Sequence, residues 1–257
     1  MSERIRSLVS FCAGALFVAL LFWLTHTGSL WLPILLTTAW IGVIVSVQAR
    51  FCQLHHHDIP LPFVTALSML ATAALLSVIE SPLFLAVVFM VGGGMVSYLL
   101  WIAVVPLSRE SIGYKLVRRM VAMVLVFVAY TAAVLAFALT VFFPDVPFAL
   151  LALLTSIAFT VVTGLIWQMY KQKIWRSDLG WLWAFGLAVC ERLWVMRLLP
   201  FGYFASGLLL TWLWYTFVVL GRFYLSPHGI LWEKQRWTLL GNLAMYMAVL
   251  AFFVRWV

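Results

Sequence analysis

Long uninterrupted apolar runs dominate the chain, in place of the short alternations of half-buried strands or the narrow stripes of surface helices. Nine runs stand out: Leu8–Leu24, Leu30–Val47, Leu61–Ile79, Leu83–Pro106, Met120–Phe143, Phe148–Tyr170, Trp181–Leu199, Phe201–Leu220 and Thr238–Phe253. A hydrocarbon core about 30 Å thick takes roughly 20 apolar residues per helix, so nine spans consume roughly 180 positions and leave only short connections. The expected fold is therefore all-α: a polytopic membrane protein, a bundle of about nine transmembrane helices forming a single domain over residues 1–257. The first run follows Arg4 and Arg6 and meets no small-x-small cleavage site before Ser29. It reads as a retained helix, not a removed signal peptide.

Composition sharpens this picture by exclusion. The chain is 66% hydrophobic and 9% charged, against roughly 45–50% and about 25% in ordinary soluble domains. A soluble enzyme of this length could not hide that much apolar surface, and disorder, a collagen-like fibre and a disulfide-rich module are equally excluded. Cys12, Cys52 and Cys190 are far apart and odd in number, so they imply no disulfide framework.

The formal charge of +8 would suggest nucleic acid in a soluble protein, but no basic domain or arm is present to carry such recognition. With the N-terminus cytoplasmic, the inner segments hold Arg4, Arg6, Arg50, Arg109, Lys115, Arg118, Arg119, Lys171, Lys173, Arg176, Arg222, Lys234 and Arg236. The outer connections hold no Lys or Arg and carry the acids Glu80 and Asp145. That asymmetry follows the positive-inside rule. It also supports the span count, because a non-spanning Trp181–Leu199 would send Arg222, Lys234 and Arg236 outside. The expected location is a bacterial inner (plasma) membrane. Arg109, Lys115, Arg118, Arg119, Lys171, Lys173, Arg176, Arg222, Lys234 and Arg236 are candidate contacts for anionic lipid headgroups, each worth on the order of 1 kcal/mol near an anionic surface. Phe223–Trp237 mixes aromatic, aliphatic and basic residues and reads as a segment lying along the interface.

Three further features bear on chemistry. Trp181–Leu199 contains Glu191, Arg192 and Arg197, and charges near the bilayer centre cost about 2.5–3.5 kcal/mol each on insertion scales. At about 100° per residue they point to roughly 0°, 100° and 240°, spread round the helix with no common polar face. Neighbours in sequence do not face one another, so Glu191 and Arg192 do not pair directly. The helix is expected to be central in the bundle. Glu191 is a candidate proton-carrying carboxylate and the arginines candidate holders of an anionic group; the plainer alternative is an ion network that fixes helix register. Cys52, His55 and His57 combine sulfur and imidazole and form a candidate, incomplete metal site. Consecutive histidines cannot all reach one ion, and a solvated, headgroup-contacting loop is the plainer reading. Gly92, Gly93 and Gly94, with Ser97, suit either close helix packing or a hinge.

No Gly-x-Ser-x-Gly turn, His-Glu-x-x-His, Walker sequence or paired acidic motif occurs in the chain, and no cofactor is indicated. Three functions follow as expectations. The first is a small carrier or lipid-handling protein built on Glu191, Arg192 and Arg197. The second is a non-catalytic scaffold or subunit of a membrane complex, meeting a membrane-protein partner or another copy of itself. The third is a membrane-embedded enzyme acting on an anionic lipid at the cytoplasmic face.

Overall fold

In the computed structural model the described residues are 3–26, 31–55, 59–105, 111–171, 176–199, 201–224 and 232–253. Among them the chain is all-helical: α1 (Glu3–His26), α2 (Trp31–His55), α3 (Leu61–Leu76), α4 (Pro82–Val104), α5 (Ile112–Phe142), α6 (Phe148–Lys171), α7 (Arg176–Arg197), α8 (Tyr203–Tyr224) and α9 (Trp232–Phe253). Seven of these are long and apolar enough to cross a membrane, and the chain is an integral membrane protein. The exceptions are α3 and the apolar part of α9, Leu239–Ala251. Sixteen residues carry α3 only about 24 Å, short of a full hydrocarbon core.

The helix ends differ from the apolar runs, each for a local reason. The run Leu61–Ile79 yields a helix ending at Leu76, where the Ser77 hydroxyl donates to the Ala74 carbonyl and Pro82 opens the next helix. In the other direction, α2 continues through Gln48–His55 and α5 begins at Ile112, both inside stretches read as loops. Charged residues end a hydropathy window but leave the backbone ladder intact. Ser111 caps α5, its Oγ accepting from the Tyr114 N–H at 3.1 Å, and Tyr114 and Val117 bury the first turns. The stretch Lys171–Gly180 likewise contains the start of α7. Asp178 stands in its first turn, 2% exposed, where the helix dipole favours a carboxylate. Of the expected interfacial segment Phe223–Trp237, the first two residues belong to α8 and the last six to α9; 225–231 lie outside the described residues.

The helices divide into two packed units, Met1–Val128 and Ala129–Val257, with the boundary inside α5. In the first, α1 packs on α2 and α4, and α3 on α2 and α4. Phe17, Leu21, Ile44, Met69, Leu76, Phe89, Val96 and Leu100 form the core. Two glycines of the triplet in α4 serve close approach within one continuous helix, which settles the choice between packing and a hinge in favour of packing. A Cβ on Gly14 of α1 would strike Ser97 Oγ and come within 2.6 Å of the Gly93 carbonyl, so these backbones cross almost in contact. Gly92 faces Thr72 of α3 in the same way, while Gly94 has open space.

In the second unit aromatic rings do the corresponding work. Trp214 of α8 meets Phe159 of α6 edge-on at 5.0 Å, and its indole N–H donates to Thr163 Oγ1 at 2.9 Å. Trp167 meets Phe185 of α7 at 5.3 Å. The buried hydroxyls of Thr155, Thr163 and Thr211 each donate to the carbonyl one turn back, which satisfies each donor within its own helix.

Substituting Gly14 by Leu should therefore lower the thermal unfolding midpoint of the purified protein sharply, whereas Gly94→Ala should hold or raise it, with a stability gain of up to about 1 kcal/mol. Equal loss in both variants would contradict the crossing described.

Candidate functional site

Helix α7 carries the charged triplet, and its packing fixes where each charge points. Beyond Asp178 in the first turn, its buried residues are Leu182, Gly186, Val189, Leu193 and Met196, a stripe with alternating spacings of four and three. This stripe lies against α6: a Cβ on Gly186 would come within 2.5 Å of Thr160 Oγ1, and Leu182 reaches Gly164. Taking Glu191 as zero, these five residues lie between about 140° and 220°, centred opposite the carboxylate.

Glu191 is accordingly exposed. Around it runs a second stripe of the same spacing, Ala184, Leu187, Glu191, Trp194 and Leu198, also exposed; Leu187 is 65% and Leu198 83% open. Among the described residues none lies within ion-pair distance of the Glu191 carboxylate.

The arginines flank the packed stripe. Arg192 is half-buried, with Cζ 5.4 Å from the centre of the Phe217 ring of α8. Together with Phe185, Val189 and Trp214 it lines a cavity of about 20 Å³, room for about one water molecule. Arg197 is exposed and stands 4.6 Å over the Phe148 ring, which also receives Trp194 edge-on at 4.8 Å. Both guanidinium groups thus rest on ring faces, a contact that gains strength on desolvation. The three charges are not brought to one point. Chemically, the arrangement offers a carboxylate facing outward from the unit, and two guanidinium groups used in part to hold α7 to its neighbours.

The other candidate residues are dispersed. Lys115, Arg119 and Arg236 are exposed and Arg118 is half-buried. Arg222 is half-buried with its guanidinium 4.3 Å over Tyr170 and 5.1 Å from Phe223, so it ties α8 to α6. Arg109 and Lys173 lie outside the described residues, as do the side chains of Lys171, Arg176 and Lys234. Of the candidate metal ligands, Cys52 is a half-buried free thiol at the end of α2. His57 and the His55 side chain lie outside the described residues, among which no group of three metal-ligating side chains occurs.

Sequence reasoning did not single out two polar groups that the structure buries, Asp178 and Gln48 of α2, nor the partner of Asn242, whose Oδ1 accepts from Trp212 Nε1 at 3.2 Å. An isolated polar residue at the edge of an apolar run gives no signal of its burial. No family model matches the chain, and no curated protein or solved structure does either.

The opposed stripes predict opposed sensitivities in the isolated protein. Leu193→Ala should cost about 2–5 kcal/mol, as for a fully buried leucine, while Glu191→Leu should leave the unfolding midpoint unchanged or raise it. A collapse of the Glu191→Leu variant would mean that the carboxylate has a partner inside the chain.

Proposed function

We propose that this protein is a non-catalytic subunit of a membrane assembly, in the cell membrane, with α7 as the helix that meets its neighbour. The observation that carries this reading is the outward carboxylate. Glu191 sits sixteenth in a helix of 22 residues, at the centre of an exposed stripe with coiled-coil spacing, and faces away from every residue that α7 buries. A charge so placed costs about 2.5–3.5 kcal/mol against lipid. A partner helix that brings a basic or hydrogen-bond-donating side chain into the stripe removes that cost and gains the packing of Leu187, Trp194 and Leu198. The basic segments assigned to the cytoplasmic side, and the absence of Lys and Arg from the outer connections, set the orientation in which the partner is met. The carrier reading would need the cavity beside Arg192 to open well beyond its 20 Å³, and nothing in the packing of Trp214 and Phe217 favours that over the assembly.

The test is the particle mass after gentle extraction from native membranes. The wild type should migrate well above its own 29.1 kDa, Glu191→Lys should release the chain as a single copy, and Glu191→Gln should retain the assembly. A wild-type particle holding one chain and no other protein, or an assembly indifferent to Glu191→Lys, would overturn the proposal.

A further inference from the structure

A second feature stands in the first unit and is independent of α7. Helices α1, α2 and α4 enclose a cavity of about 180 Å³, comparable with the roughly 150 Å³ apolar cavities that take up benzene. Its lining is almost wholly apolar, from Val9 and Ala13 on α1, Val43, Ile44 and Val47 on α2, and Leu100 on α4. Val9, Val43 and Val47 are exposed, so the mouth opens on the outer surface of these helices, where acyl chains run.

Two polar atoms in this wall lack hydrogen-bond partners among the described residues. The Gln48 side chain is 0% exposed; its Nε2 donates to the Leu99 carbonyl at 3.1 Å, while its Oε1 and the Trp40 indole N–H in the same lining meet no partner there. A buried acceptor without a donor is costly, and in the membrane neither bulk water nor lipid tails can supply one. Gln48 of α2 and Ser10 of α1 stand toward the C-terminus of α2 and the N-terminus of α1, with Ile44 and Ala13 about one turn further in and Trp40 beyond them.

The geometry points to a binding site for one single-chain amphiphile drawn from the bilayer, an alcohol whose hydroxyl donates to Gln48 Oε1 and whose alkyl chain lies along Ala13, Ile44 and Leu100 toward Trp40. Gln48 and Trp40 are eight residues, about 12 Å, apart along α2, so a single hydroxyl serves Gln48 and only the chain extends toward the indole. An ether of the same length, like an alkane, has no O–H to donate to Gln48 Oε1.

The probe is a photoreactive octanol carrying a diazirine on its chain, applied to the full-length protein in lipid nanodiscs. Adducts should fall on lining residues of α1, α2 and α4, and 1-octanol should displace the probe roughly tenfold better than octyl methyl ether, about the worth of one hydrogen bond. Gln48→Leu should retain labelling and lose that preference. Ala13→Phe, which fills the cavity, should abolish the adducts while the protein elutes and melts as the wild type does. Labelling scattered over the helices, labelling unchanged by Ala13→Phe, or equal competition by alcohol and ether in the wild type would each overturn the site.

Discussion

A carboxylate on a membrane-crossing helix, pointing away from everything that helix packs against, is the constraint on which this account of the molecule depends. The backbone of a helix satisfies itself in lipid, but a side-chain charge does not. The structure leaves α7 little freedom to turn Glu191 inward. Gly186 is pressed against Thr160, and Trp167 holds Phe185 edge-on. Arg192 and Arg197 grip Phe217 and Phe148 on either flank. Rotating the helix would break the aromatic contacts and drive a charge into the stripe that contains Leu193 and Val189. In the proposed assembly the partner for Glu191 is supplied by a second protein.

The two packed units reach cohesion by different means, and the difference follows from their sequences. In Met1–Val128 glycines let backbones approach, so dispersion between main chains replaces side-chain interdigitation, as at Gly14 and Gly93. In Ala129–Val257 large rings interlock, and the Trp214–Thr163 hydrogen bond fixes their register. Ring-to-ring packing leaves space of about one water at Arg192. Beside the glycine crossing, where α1 and α4 meet α2, a larger cavity remains. The first geometry suits a rigid element that presents an outer face; the second leaves room for a small lipid-borne molecule.

Much of the fold was legible in the sequence because the bilayer reduces the problem to the length of apolar runs. All nine runs correspond to helices, and the chain turns at Pro82 and Pro147, between apolar runs. The start of α5 was not legible, because helix persistence there depends on a cap at Ser111 and on burial of Tyr114, neither of which changes hydropathy. For the candidate site, the sequence supplied the angular positions of Glu191, Arg192 and Arg197 but not the packed face. With charges near 0°, 100° and 240°, any direction was open. Only the fit of Gly186 to Thr160 determines that the wide gap between the two arginines turns toward α6. Gln48 follows the run that ends at Val47, and a glutamine closing an apolar run looks the same whether it meets water or the carbonyl of Leu99.

The central claim is that the stripe through Leu187 and Glu191 is covered by protein in the native membrane. Its most direct test is a spin label at Leu187→Cys, in a chain whose own three cysteines are replaced, studied in native membranes by collision with dissolved oxygen. Oxygen concentrates among acyl chains and is excluded from protein interfaces. The account predicts low accessibility at position 187 in native membranes, rising when Glu191→Lys is added. Free collision with oxygen in the wild-type background, as for a residue bathed in lipid, would contradict it.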